Sequence, residues 1–248
     1  MEYLAENCNV LSAEGLAYRL TRGEPFPRRS VVLMFDGGYA DLLYTAQDVL
    51  RRLSLPAVAF VPTAHLLERR PRWYDELEDL LIAHRVTGQC ELIVDHDVLR
   101  LSLHSSRDRF AAYTRLVSLL SRKSPLHQQD VLQQITRALS PDEGEADSHA
   151  VLDAQQLKRM DEGGDMCIGS STHHHVDPDT LPPWERLQEI ARNKEVLEEI
   201  LGRSIPFFSC PFWAIHDPPF ESMALLWKLG FSFAFCNTPG SMTLYTKS

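Results

Sequence analysis

An acidic residue on a glycine turn at the end of an apolar run is the arrangement in this chain best suited to chemistry. Ser30-Val31-Val32-Leu33-Met34-Phe35-Asp36-Gly37-Gly38-Tyr39 leads from a Val/Leu stretch directly into Asp36 and a double glycine. A parallel strand buried on both faces reads as such a run, and ligands gather at the carboxyl ends of parallel strands. The other reading of Asp36 is a cap for the helix beginning near Leu42, which the intervening residues disfavour. Three consecutive histidines form the second feature, in Ile168-Gly169-Ser170-Ser171-Thr172-His173-His174-His175. Imidazole is the commonest metal-ligating side chain, and a polar loop after a strand is the plainer reading. Neighbouring side chains on an extended segment point to opposite faces, so the three rings cannot all converge on one point. A third feature is the apolar Phe207-Phe208-Ser209-Cys210-Pro211-Phe212-Trp213.

These segments must be held by alternating strands and helices. Val31 to Phe35 reads as a strand followed by an amphipathic helix near Leu42 to Leu53, and Ala57 to Val61 as a second strand. Further on come the strand Met166 to Ser170, a helix near Trp184 to Leu201, the strand Phe207 to Cys210, a helix near Phe220 to Leu229 and the strand Phe231 to Cys236. Such alternation signals parallel βα units. Gly202 and Gly230 fall where helices need a left-handed stop. Asp153 is placed to cap a helix over Ala154 to Met160.

Between about Glu68 and Ala150 the rhythm breaks into helical patterns, Trp73 to His84 and Phe110 to Leu120 among them, with a strand-like Glu91 to Val94. We read 68–150 as an insertion within a single domain, 1–248. Trp73-Tyr74-Asp75 sets an aromatic pair beside a carboxylate, an arrangement that serves sugar stacking or packing of the insert equally well. Ser140 to Asp147, acidic and rich in turn formers, reads as a linker.

The run VVLMFDGGYAD, followed by QDVLRRLSLPAVAFVPT, resembles the polysaccharide deacetylase (NodB-like, carbohydrate esterase family 4) domain, whose first motif usually reads T-F-D-D-G-Y. The resemblance implies an α/β fold, a NodB-like distorted (β/α) barrel with a helical insertion after the second strand. It implies a hydrolase that removes N-acetyl (or O-acetyl) groups from an acetylated carbohydrate. In the family the first Asp is the catalytic base and the second ligates a divalent metal; here these positions hold Asp36 and Gly37. The second family motif, G-S-H-T-x-x-H, supplies two more ligands; here Ser171 stands at the first histidine and His175 at the second, with His173 as a substitute ligand. The third motif implies an oxyanion-binding backbone N–H at Phe212, with Trp213 in the place of the family's glycine. Trp73, Tyr74 and Trp213 are the implied substrate contacts. The family's late Arg-bearing strand and Leu-x-x-His general acid have no counterpart after Gly230, and only His216 lies downstream of His175.

With one of three metal positions retained, the expected cofactor is a divalent ion such as zinc, held weakly or not at all, since hydrolytic zinc sites use three protein ligands and an open position. Two functions follow: a deacetylase with a degenerate metal site, or an inactive relative that serves as a carbohydrate-binding or assembly module. Composition narrows the partners further. A net charge of −9 disfavours nucleic acid and anionic membranes, and the short runs Arg28-Arg29, Arg51-Arg52 and Arg69-Arg70-Pro71-Arg72 read as solvated surface. Five scattered cysteines suggest neither a disulfide framework nor a zinc knuckle, and Cys167, Cys210 and Cys236 read as small buried apolar residues. With no basic start leading into an apolar core, a cytoplasmic location is expected.

Overall fold

Strand runs that are apolar at every position need cover on both faces, and this requirement shapes the molecule. The structure is a computed structural model describing residues 1–69, 71–83, 87–121, 123–139, 149–210 and 220–236. The chain opens with helix α1 (Glu2–Asn7), strand β1 (Asn9–Val10) and helix α2 (Ala13–Arg22). Strands β2 (Ser30–Val31) and β3 (Leu33–Asp36) follow, then a π-helical turn (Leu42–Ala46) running into α3 (Gln47–Leu53), β4 (Ala57–Val61) and α4 (Thr63–Glu68). Next are α5 (Trp73–Glu78), a second π-helical turn (Asp79–Ala83), β5 (Gln89–Val94), β6 (Asp97–Ser102), α6 (Ser106–Leu120) and α7 (Pro125–Leu139). Helix α8 (Ala154–Glu162), β7 (Met166–Ser170), a 3-10 turn (Pro178–Thr180), α9 (Pro183–Leu201), β8 (Phe207–Cys210), α10 (Phe220–Lys228) and β9 (Phe233–Cys236) complete the described elements.

The chain divides into two compact units, residues 1–69 with 151–248, and residues 70–150. In the first, a parallel sheet runs β3-β4-β7-β8-β9, while β1 pairs in parallel with β2. This is the curled parallel sheet of the expected NodB-like fold. Register places Leu33, Ala57 and Met166 on one level, and Asp36, Phe60 and Gly169 on the level three residues above. Alternation then separates two faces. Ala57, Ala59, Val61, Met166 and Ile168 pack outward with Leu50, Leu157, Met160 and Leu197 of the helices. Val58, Phe60 and Phe207 pack inward with Ala13, Ala17, Cys167, Phe233 and Phe235.

The second unit has its own core. A hairpin of β5 and β6 buries Cys90, Leu92, Leu99 and Leu101 with Leu77, Leu81, Leu116 and Ile135 of the helices. The helical patterns from Trp73 and at Phe110 to Leu120 and the strand around Glu91 to Val94 are present, while α7 and β6 are not marked by the sequence pattern. Two other readings need correction. Arg72 is fully buried, ion-paired with Asp75 at 3.4 Å, rather than solvated, because a guanidinium that meets a carboxylate can leave water. Cys236 is exposed rather than buried, because β9 pairs with β8 on one side only in the described sheet. The segment 140–147 lies outside the described residues.

No helix among the described residues is long and apolar enough to cross a membrane.

Gly169 is the tightest point between strands. A Cβ there would lie 2.4 Å from Cε1 of the fully buried Phe60 ring, which has no room to retreat. Gly169→Ala is expected to lower the unfolding free energy by about 1–3 kcal/mol in a urea titration, the usual cost of overpacking.

Candidate functional site

Asp36 closes β3 on the inner face, at the level of Phe60 and Gly169. The glycine pair behind it is anchored on both sides: Gly37 N–H donates to the Phe60 carbonyl at 2.9 Å, and the Gly38 carbonyl accepts from Leu152 N–H at 3.0 Å. Tyr39 then forms an isolated bridge with Val151. Both glycines hold left-handed backbone, φ +119° at Gly37 and +67° at Gly38. A Cβ on Gly38 would also meet Val61 Cγ1 at 2.8 Å. The turn is therefore a close-packed structure that depends on glycine for its dihedrals.

Two strands away, the end of β7 is organised by Asn193 of α9, a fully buried amide. Its Oδ1 accepts from Ser170 Oγ at 2.7 Å and from Ser171 N–H at 3.0 Å. Its Nδ2 donates to the Val61 carbonyl at 3.0 Å and to Thr63 Oγ1 at 3.2 Å. Ser170 is thereby turned toward α9. Ser171 is the next residue along, and its buried Oγ has no hydrogen-bond partner among the described residues.

Thr172 shapes the loop that follows. Its Oγ1 accepts from Val176 N–H and donates to the Val176 carbonyl, each at 2.9 Å, and its carbonyl accepts from His175 N–H at 3.3 Å. This tight loop puts His175 in left-handed backbone, φ +56°, and buries its ring. Asp36 Oδ1 and His175 Nδ1 are both shut off from solvent. Two strand spacings separate the ends of β3 and β7, about 10 Å between backbones.

The other two histidines are committed on the α9 side. His173 bonds Thr63 Oγ1 through Nδ1 at 2.7 Å, and its backbone is tied to Ala64 and Glu189. Burial pushes its pKa below the usual imidazole value. His174 meets Glu189 twice, ring Nδ1 to Oε1 at 2.6 Å and backbone N–H to Oε2 at 2.9 Å. The Glu189 hydrogen bond raises the His174 pKa. Burial pushes Glu189 up, but the His174 ring and backbone donors leave it below the ordinary carboxylate range.

On β8, Ser209 pairs with inward-facing Phe235, so its buried hydroxyl belongs to the inner face. Nothing in the sequence singled out Asn193. Phe212 and Trp213 lie outside the described residues, as does His216. Trp73 is packed in the core of the second unit with its ring edge-on to Tyr74 at 5.3 Å, and the Arg72 guanidinium lies over Tyr74 at 5.8 Å. Burial first, then a hydrogen bond to Glu14, pushes the Cys167 thiol up to about 12.

A parallel curled sheet with a carboxylate at the end of β3 and a buried imidazole in the loop after β7 marks an α/β protein of the distorted-barrel type. The polysaccharide deacetylase family model matches residues 23–226, and the chain belongs to that family. Among solved structures it is similar to the Streptococcus pyogenes deacetylase PplD in complex with acetate (TM-score 0.55, 15% identity, 93% of this chain and 66% of that one). It is similar also to IcaB from Ammonifex degensii (TM-score 0.54, 16% identity, 94% and 71%). A third is the BpsB deacetylase domain from Bordetella bronchiseptica (TM-score 0.51, 14% identity, 94% and 74%). At these identities the likeness is one of fold, and the chain spans 66% to 74% of the length of those structures. No curated protein sequence matches the chain.

Family membership raises the question of a metal, and the residues present do not fit one. Of the three positions that the family motifs assign, Gly37 carries no side chain, Ser171 offers a hydroxyl, and His175 alone is a strong zinc ligand. Among the described residues no group of three or more His, Cys, Asp or Glu side chains is arranged to hold an ion.

Two predictions come from this geometry. Asn193→Leu strands the Ser170 hydroxyl, the Ser171 N–H and the Val61 carbonyl, so chemical denaturation is expected to show a loss of roughly 3 kcal/mol or more. The His174–Glu189 pair is strongest while both partners are charged. His174, its pKa raised, contributes fully below the unfolded value near 6.5 and loses its contribution as pH rises through the folded value; Glu189, its pKa lowered, contributes above about 4.5. Glu189→Gln is therefore expected to depress the melting temperature more between pH 5 and roughly 6.5 than above pH 8. An equal depression at both ends would contradict the pairing.

Proposed function

We propose that the chain is a polysaccharide-deacetylase-like hydrolase that removes N-acetyl (or O-acetyl) groups from a carbohydrate, with Asp36 as the base. The observation that carries this reading is Asp36 itself, kept at the carboxyl end of an inner-face strand by a turn packed against β4. A carboxylate so placed takes a proton from water as the water oxygen attacks the acetyl carbonyl carbon, which suits the position of ligands in such sheets. The oxyanion then formed needs donors, and the family motif assigns one to the Phe212 N–H. The product pair is acetate and the free amine or hydroxyl of the sugar.

A second reading is a catalytically inactive relative that binds acetylated carbohydrate or serves in an assembly. Gly37 and Ser171 favour it, because they remove metal ligands while leaving the fold of the mouth intact.

Acetate release from chitooligosaccharides separates the two. The first reading expects turnover that Asp36→Asn reduces by about 100-fold or more, the range for a general base. The second expects oligosaccharide binding, seen as line broadening in ligand-observed NMR, with no acetate. Neither binding nor release from acetylated sugars would overturn both.

A further inference from the structure

We infer that the barrel mouth is built as a metal-independent pocket, its metal site lost in the backbone as well as in the side chains. This goes beyond the proposed reaction and holds for either reading of it.

Gly37 stands at the position to which the family motif assigns a carboxylate ligand. Its φ of +119° lies in a region that residues with a Cβ rarely adopt. The conformation is also enforced from outside. The Gly37 N–H is held by the Phe60 carbonyl and the Gly38 carbonyl by the Leu152 N–H, and a Cβ on Gly38 would meet Val61 Cγ1 at 2.8 Å. An aspartate at 37 must therefore either adopt strained dihedrals or break the packing of the turn on β4. A missing side chain alone would leave the backbone ready to accept its return, whereas this turn resists it.

The β7 side differs. Ser171 lies where Asn193 fixes its N–H, and its φ is not among the left-handed values. Its buried Oγ meets no hydrogen-bonding group among the described residues, so the position holds a hydroxyl where a chelate would need an imidazole. His173 and His174 do not compensate, since among the described residues they belong to no group of three or more His, Cys, Asp or Glu side chains arranged to hold an ion. The two lost ligands are thus unequal: Ser171 is a side-chain replacement on ordinary backbone, and Gly37 sits in a turn held at dihedrals that favour glycine.

This inequality is testable without any activity. Zinc binding is measured by calorimetry for the wild-type chain, Gly37→Asp, Ser171→His and the double variant, and zinc content by elemental analysis after loading and gel filtration. The expected result is no submicromolar binding in the wild type or Gly37→Asp, a gain in Ser171→His, and a double variant within about tenfold of Ser171→His. A double variant binding zinc 100-fold or more tighter than Ser171→His overturns the inference. So does stoichiometric zinc on the wild type that disappears in His175→Ala. Gly37→Ala gives a readout even if the ligand variants fail to fold: strain at such dihedrals is expected to lower the melting temperature by roughly 2 °C or more. An unchanged melting temperature shows that the turn accepts a side chain and overturns the inference. Because acetate release is not read, failure here is distinguishable from failure of the hydrolase reading.

Discussion

A single buried amide fixes the geometry on which the rest of the mouth depends. Asn193 lies on the long helix α9, out of solvent, and an amide in that position must satisfy both its oxygen and its nitrogen. It does so by gripping the end of β4 through Val61 and Thr63 and the end of β7 through Ser170 and Ser171. The strand ends are thus locked in register by a group from the outer helical layer. Once Ser171 N–H is fixed, the Thr172 loop follows, and with it the left-handed His175. Asp36 is held separately, by the glycine turn that leans on β4. The two halves of the mouth share that strand: Phe60 accepts from Gly37, and Val61 accepts from Asn193.

The core strands were legible because they are buried on both faces. Ala57–Val61 reads as an unbroken apolar run and Met166–Ser170 and Phe207–Cys210 as mainly apolar ones, and all three are strands over those residues in the structure. Gly202 and Gly230 hold the left-handed conformations that their positions after helices suggested. Asp153 caps α8 through the N–H groups of Gln155 and Gln156. What escaped was structure whose signals are carried by unusual residues. The β5–β6 hairpin turns at Asp95 and His96, both with positive φ, so the glycine that normally betrays a two-residue turn is absent. Asn193 reads as one more polar position in an amphipathic helix, since nothing local distinguishes a buried amide from a solvated one.

The site was legible at the level of residue type and order. Asp36 closes β3 ahead of its glycine turn, and His175 lies in the loop that follows β7. Which way the three histidines point was beyond reach of pattern alone. His173 and His174 are turned by partners at 63 and 189, far away in sequence. The conformation of Gly37 is likewise a tertiary property, set by Phe60 and, through Gly38, by Leu152 and Val61. A sequence shows that a carboxylate is absent; only the packing shows that the turn has closed around its absence.

The central claim is that the mouth is organised by the Asn193 bonds and the glycine turn rather than by a cation. A crystal structure of the chain grown with millimolar zinc tests it most directly. The account predicts Gly37 with positive φ, Asn193 bonded to Ser170 and Ser171, and no ion coordinated by His175. A zinc ion bound to the His175 imidazole at about 2.0–2.1 Å, with Asp36 or Ser171 drawn in as a further ligand and the turn at Gly37 reshaped, would contradict it.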